Sequence, residues 1–407
     1  MERGLFRESG VHEGNLKWKQ GISRIHPIYK RVNDVRSEFS RDYTRILHST
    51  AYRRLKHKTQ VFFATHNDHI CTRIEHVNHV ASVSYTIANY LGLNTELTNA
   101  IAIGHDLGHA PFGHAGETFL KEIVSREIGE TFWHERNSLR FVDKCETLPD
   151  SDGLEHNLDL TYAVRDGIVC HCGEVDENSI FPREDAFDLY SIDKANHCPP
   201  FTWEGCVVKI ADKISYLGRD IEDARLLKVL TISETKKLIK IGRDFDAKVN
   251  EINTTLLMHD FIIDLCNNSS PEKGITFSAK HLQLINTLKD FNYEYIYKHE
   301  RLNGYKRYAQ LIIESIYEIL FSRYSGKETI GELGRYREIY PILSQSFSDW
   351  LYKYSDSRDN EIKSSKYQNE ILYNLENRKD YVQAIVDYIS GMSDSFAIKI
   401  FNEITTF

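Results

Sequence analysis

Apolar residues recur at steps of three and four along most of this 407-residue chain, and only eight prolines interrupt them, so its sequence specifies α-helix. Strand-like alternation is rare. Residues 76–91, HVNHVASVSYTIANYL, show the pattern: Val80, Val83, Ile87 and Leu91 form one apolar stripe that runs back to His76, which therefore opens a buried face. Residues 96–107 form a second helix ending near Gly108, Pro111 and Gly113 mark a turn, and a third helix begins around His114. In residues 207–226, Asp212, Tyr216 and Asp220 follow one another at steps of four on one side of a helix whose other side is apolar. Residues 279–298, 304–324 and 367–404 also read as helical, and Asn267-Asn-Ser-Ser-Pro271 as a loop. The expectation is an all-α fold without internal repeats.

With 41% hydrophobic residues the chain can bury one large core or two ordinary ones. No basic N-terminal start leads into an apolar run, and no apolar stretch approaches the roughly 18–20 residues that span a bilayer, so a cytoplasmic location without membrane contact is expected. Seven cysteines, an odd number, fit free thiols in a reducing compartment. The formal charge of −8 excludes a general nucleic-acid coat. Arg53-Arg54-Leu-Lys56-His-Lys58 is nevertheless a local basic cluster, open to two readings: a solvated helix face or a phosphate contact.

The stretch HDLGHAPFGHAGE, residues 105–117, sets three histidines and two carboxylates in thirteen residues. A buried carboxylate such as Asp106 needs a partner charge, and a divalent metal beside His105 would supply one. His76 and Asp212 are the obvious further donors. Without context, helix capping or a surface salt bridge competes with this reading. His114 and Glu117 stand three apart at a helix start, so both can face one site. A carboxylate on one imidazole nitrogen fixes the tautomer and makes the other nitrogen a better proton carrier. A capping carboxylate beside a packed histidine is the alternative.

Several blocks together resemble the HD-domain deoxynucleoside triphosphate triphosphohydrolases. They read SRDYTRILHSTAYRRLKHKTQVF (40–62), TRIEHVNHV (72–80), HDLGHAPFGHAGE (105–117), HERNSLR (134–140), DGIVCHCGE (166–174), ADKISYLGRDIEDA (211–224) and DYISGMSDSFA (387–397). The resemblance implies an N-terminal segment and HD core over residues 1–230, with a C-terminal helical region, 231–407, packed on it. It further implies a divalent metal (Mn, Fe, Mg or similar) on His76, His105, Asp106 and Asp212, and hydrolysis of dNTPs by water attacking the α-phosphorus to give deoxynucleoside and tripolyphosphate, in the service of dNTP pool control.

By the same resemblance His114 and Glu117 are the catalytic pair, with His134 on the phosphate side of the pocket and His109 lining it. Gln60 meets the sugar hydroxyl, Arg73 and Lys213 meet phosphates, and Tyr216 lies beneath the deoxyribose with Asp220 nearby, so that a 2′-hydroxyl would be excluded. His79 departs from the glutamate common at its position and is not assigned as a ligand. Cys170-His171-Cys172 and His197-Cys198 lack the regular second pair of a zinc site. Family members form homo-oligomers, hexamers or tetramers, and some are activated by a second, allosteric dNTP; single-stranded DNA in a basic groove is a further partner to consider. The rival expectations are an HD-domain nucleotidase or phosphodiesterase acting on another nucleotide, and a nucleotide-sensing protein without turnover.

Overall fold

The computed structural model describes residues 3–28, 33–62, 67–172, 178–246, 251–357 and 366–406. Its principal helices are α1 (Glu38–His48), α2 (Arg73–Leu91), α3 (Thr95–Gly104), α4 (Gly113–Glu127), α5 (His134–Arg140), α6 (Tyr162–Val169), α7 (Trp203–Leu226), α8 (Ile232–Phe245), α9 (Thr254–Asn268), α10 (Ala279–Asn292), α11 (Glu300–Phe321), α12 (Pro341–Tyr354), α13 (Arg378–Ser390) and α14 (Asp394–Thr405). Among the described residues the only sheet pairs Thr147–Pro149 (β1) with Glu155–Asn157 (β2), antiparallel, in the register Leu148 to His156. The fold is all-α, as the periodicity predicts.

Local chemistry sets the helix ends. α2 starts three residues earlier than its apolar stripe, because the Glu75 carboxylate accepts from the Thr72 N–H at 2.8 Å and closes a capping box; this brings Arg73 into the first turn. Val80, Val83, Ile87 and Leu91 are all buried, and Gly92, with φ 84°, ends the helix. α3 is capped by Asn94, whose side chain accepts from the N–H groups of Glu96 and Leu97, and it stops at Gly104, so residues 105–108 form the following turn. α9 ends at Asn268, within the segment read as a loop.

Two expectations are corrected. Residues 367–377 are not helical: Tyr373 pairs with Ser355, and Asn377 caps α13 by accepting from the Lys379 N–H. Gly391 and Met392 then separate α13 from α14, which Ser393 caps. α12, which periodicity left unassigned, begins at Pro341, a residue suited to the first helical turn because its missing N–H would have no partner there. Gly173 and Glu174 of the DGIVCHCGE block lie outside the described residues.

The core forms two clusters. The first joins α1, α2, α3, α6, α7, α9 and α10, with α2 packed on α3 and α7. The second joins α4 to α11, α12, α13 and α14. No disulfide joins any of the seven cysteines among the described residues. No helix among the described residues is long and apolar enough to cross a membrane.

Candidate active site

Three elements of the first cluster bring the expected metal donors together. α2 carries His76, the turn after α3 carries His105 and Asp106, and α7 carries Asp212. His76 Nε2 lies 2.9 Å from Asp212 Oδ1, while His105 Nε2 is 3.6 Å from Asp106 Oδ1 and 3.7 Å from Asp212 Oδ1. His105 Nδ1 donates to the Ala102 carbonyl at 2.6 Å, so Nε2 carries the lone pair. That nitrogen is buried and has no hydrogen-bond partner among the described residues. A buried imidazole lone pair between two carboxylates fits a divalent cation, so the donor set matches the group that the blocks imply. Donor atoms of His76, His105 and Asp212 lie within 4.8 Å of one another, as do those of His105, Asp106 and His171; His105 is the member common to both sets.

Asp106 is anchored through both oxygens. Arg73 Nη1 donates to Oδ2 at 2.6 Å, and His109 Nδ1 lies 2.8 Å from Oδ1. Burial would raise the Asp106 pKa, but His109 and Arg73 hold it well below the usual carboxylate range. The remaining guanidinium nitrogens of Arg73, Nε and Nη2, are buried without partners. Burial and Arg73 push the His109 imidazole down, which keeps it neutral.

The residues expected to form the catalytic pair, with His134, stand on α4 and α5. Glu117 Oε2 is 3.3 Å from His114 Nδ1, as the helix spacing predicts, but both carboxylate oxygens are also 3.2 Å from His134 Nδ1, and Oε1 accepts from the His134 N–H at 2.9 Å. Burial opposes ionisation of Glu117; His134 and His114 outweigh it and hold the carboxyl far down. Burial likewise opposes a charge on His134, yet Glu135 and Glu117 raise it to about 10, so it is cationic at neutral pH. The His109 and His134 rings lie 3.8 Å apart.

Beside His114 opens a cavity of about 470 Å³ lined by Gln60, Phe112, Tyr216, Asp220 and Tyr297 among others. Gln60 Oε1 is buried and unpartnered, and the Tyr297 hydroxyl donates to Asp220 Oδ2 at 2.5 Å. Burial pushes the Asp220 carboxyl up to about 7. Of the expected substrate residues, Gln60, Tyr216 and Asp220 therefore share this cavity, whereas Arg73, His109 and Lys213 are buried and do not line it. The basic cluster divides. Arg54 pairs with Glu146 at 2.8 Å, Arg53 donates to the His48 carbonyl, both line a separate cavity with Lys353, and Lys58 is fully buried.

His171 belongs both to the Cys170-His171-Cys172 run and to the DGIVCHCGE block of the resemblance. Among the described residues no cysteine joins a convergent donor group; instead the His171 ring packs on His105 at 4.8 Å, its Nδ1 donates to the Ile168 carbonyl at 2.5 Å, and burial with the neighbouring His105 pushes it down to about 4. Glu135, 3.4 Å from His134 Nδ1 and almost wholly buried, gave no signal beyond its place in HERNSLR.

The HD domain family matches residues 73–217, a span that contains all four expected metal donors. The chain is 32% identical over 372 residues to a deoxyguanosinetriphosphate triphosphohydrolase-like protein of Caldanaerobacter subterraneus, covering 91% of this chain and 86% of the relative. It is 30% identical over 385 residues to one of Clostridium tetani, with 93% and 88% covered. A like-named protein of Desulfatibacillum aliphaticivorans is 45% identical over 197 residues, 48% of this chain and 50% of that one. The chain belongs to this deoxyguanosinetriphosphate triphosphohydrolase-like family.

Proposed function

We propose that the chain hydrolyses dNTPs to a deoxynucleoside and tripolyphosphate. The observation that carries this reading is the cavity holding Gln60, Tyr216 and Asp220 with His114 on its wall, next to the convergent histidines and carboxylates. A nucleoside seated there would put its 5′ oxygen toward His114, with the phosphates toward Arg73 and His134.

A divalent ion held by His76, His105, Asp106 and Asp212 supplies Lewis acidity toward a phosphoryl oxygen and a water of lowered pKa. Arg73, with one guanidinium nitrogen on Asp106 and the other two unpartnered, and cationic His134 offset the negative charge of the triphosphate. Water attacks the α-phosphorus and gives up one proton to the solvent, the bond from phosphorus to the 5′ oxygen breaks, and that oxygen leaves with the electron pair. His114, with Nδ1 toward Glu117, delivers the proton to it from Nε2. Gln60 and Asp220 hold the sugar hydroxyl, and Tyr216 leaves no room for a 2′-hydroxyl.

Incubation of the Mn²⁺-loaded protein with each dNTP tests the reading. Deoxynucleoside with tripolyphosphate is expected; pyrophosphate, orthophosphate or no turnover would overturn it.

A further inference from the structure

The boundary between the two apolar clusters runs through the HDLGHAPFGHAGE stretch. Leu107 packs in the first cluster, and Ala110 and Phe112 in the second. The metal donors therefore stand on one cluster, whereas His114 and Glu117 ride on α4, which packs against α11 and α13 of the other. Apolar packing alone is a loose way to register two such groups, because a misplacement of ~1 Å can cost about 10²-fold in rate.

Two buried charged side chains cross the boundary. The Asp394 carboxylate at the start of α14 is 5% exposed. Its Oδ1 accepts from the Phe112 N–H at 2.8 Å; its Oδ2 accepts from the Thr59 N–H at 3.0 Å and the Thr59 hydroxyl at 2.7 Å. Lys58 Nζ donates to the carbonyls of His109 and Ser390. The Lys58 carbonyl in turn accepts from the Arg73 N–H at 2.8 Å, which ties this segment to the first turn of α2. Phe112 has φ 65°, a backbone state that side-chain-bearing residues avoid, and it immediately precedes α4. A Cβ on Gly113 would lie 3.0 Å from the Gln60 carbonyl, so the start of α4 and the Gln60 segment are in close contact.

We propose that Asp394, seconded by Lys58, is a positioning residue: it locks the start of the acid–base helix and the Gln60 segment together onto the metal-bearing helices, making the C-terminal helices part of the catalytic apparatus. The inference rests on the roles given above to His114, Glu117 and Gln60. A carboxylate suits the task because it accepts on both oxygens, whereas an amide turns a donor toward one set of N–H groups.

The test uses full-length Asp394→Asn, Thr59→Val and Thr59→Ser, with Mn²⁺ affinity, steady-state kinetics on dNTPs and amide exchange at Thr59 and Phe112. Asp394→Asn is expected to keep Mn²⁺ affinity within twofold, to lower kcat by about tenfold or more, and to speed exchange at one or both amides. Thr59→Val, which deletes only the hydroxyl bond, should raise KM more than it lowers kcat, and Thr59→Ser should restore both. Wild-type kcat and unchanged exchange in Asp394→Asn would overturn the proposal, as would a kcat loss that merely follows lost metal. Should Asp394→Asn fail to fold, the Thr59 pair decides: identical kinetics in Val and Ser variants would overturn it. Absence of dNTP turnover by the wild type would sink the proposed function instead, and amide exchange would still judge the lock.

Discussion

Glu117 stands between two imidazoles, and its closer engagement is with His134, whose Nδ1 lies 3.2 Å from both carboxylate oxygens and whose backbone N–H donates to one of them. On the proposed function the carboxylate orients His114 for proton transfer, and it also sustains the positive charge on His134. Glu117→Gln should lower kcat by roughly 10²–10⁴-fold while leaving Mn²⁺ affinity unchanged. In an NMR titration the His134 pKa should fall from about 10, since burial, which opposes the charge, would then face Glu135 alone as its main counterweight. An unmoved His134 titration would contradict the arrangement.

Asp106, an expected metal donor, also pairs at 2.6 Å with Arg73, which is 1% exposed. Asp106→Ala would strand that guanidinium at a cost of roughly 3–5 kcal/mol, so loss of activity in this variant would mix misfolding with lost metal. Asp106→Asn keeps the shape and one acceptor. It should fold, bind Mn²⁺ at least about 10-fold more weakly by calorimetry, and lose turnover; wild-type Mn²⁺ affinity would refute Asp106 as a ligand.

Tyr216, which shares the cavity with Asp220 one helical turn further along α7, is the expected barrier to ribonucleotides. Tyr216→Ala should reduce the ratio of kcat/KM for dATP over ATP by about tenfold, the scale of one lost steric contact. An unchanged ratio would assign the discrimination elsewhere.

Asp220 also predicts a pH dependence. Its folded pKa of about 7 lies above the unfolded value of about 3.9, so between these limits the folded state holds an extra proton. The stability this contributes is fully present below about pH 4 and is lost as pH rises through about 7. Asp220→Asn, which mimics the protonated acid, should remove that component: by calorimetry the difference in Tm between variant and wild type should grow in the variant's favour from pH 4.5 to pH 8. Parallel curves would show that burial does not hold the proton.

The convergence of His76, His105 and Asp212 was legible because His76 and Asp212 sit on long helices whose apolar stripes fix their facing, and His105 directly follows the end of a third. Local signals also set the start of α2, although the Thr72–Glu75 box had to outrank the apolar stripe. What stayed hidden depends on partners far apart in the chain. Lys58 sits in a run of basic residues that suggests a solvated face, yet carbonyls 51 and 332 residues away draw it into the core. His134 reaches Glu117 across 17 residues, and Asp394 reaches Phe112 across 282. Residues 367–377 carry helical spacings, but pairing of Tyr373 with Ser355 and the Asn377 cap fix a different backbone.

On the proposed reaction, water attacks the α-phosphorus and the nucleoside 5′ oxygen departs. Turnover of a dNTP in ¹⁸O-labelled water, with mass analysis of both products, tests it most directly: the label should appear in tripolyphosphate and be absent from an unphosphorylated deoxynucleoside. Label in the nucleoside, or in a deoxynucleoside monophosphate released with pyrophosphate, would contradict the assignment of His114 as the group that protonates the 5′ oxygen.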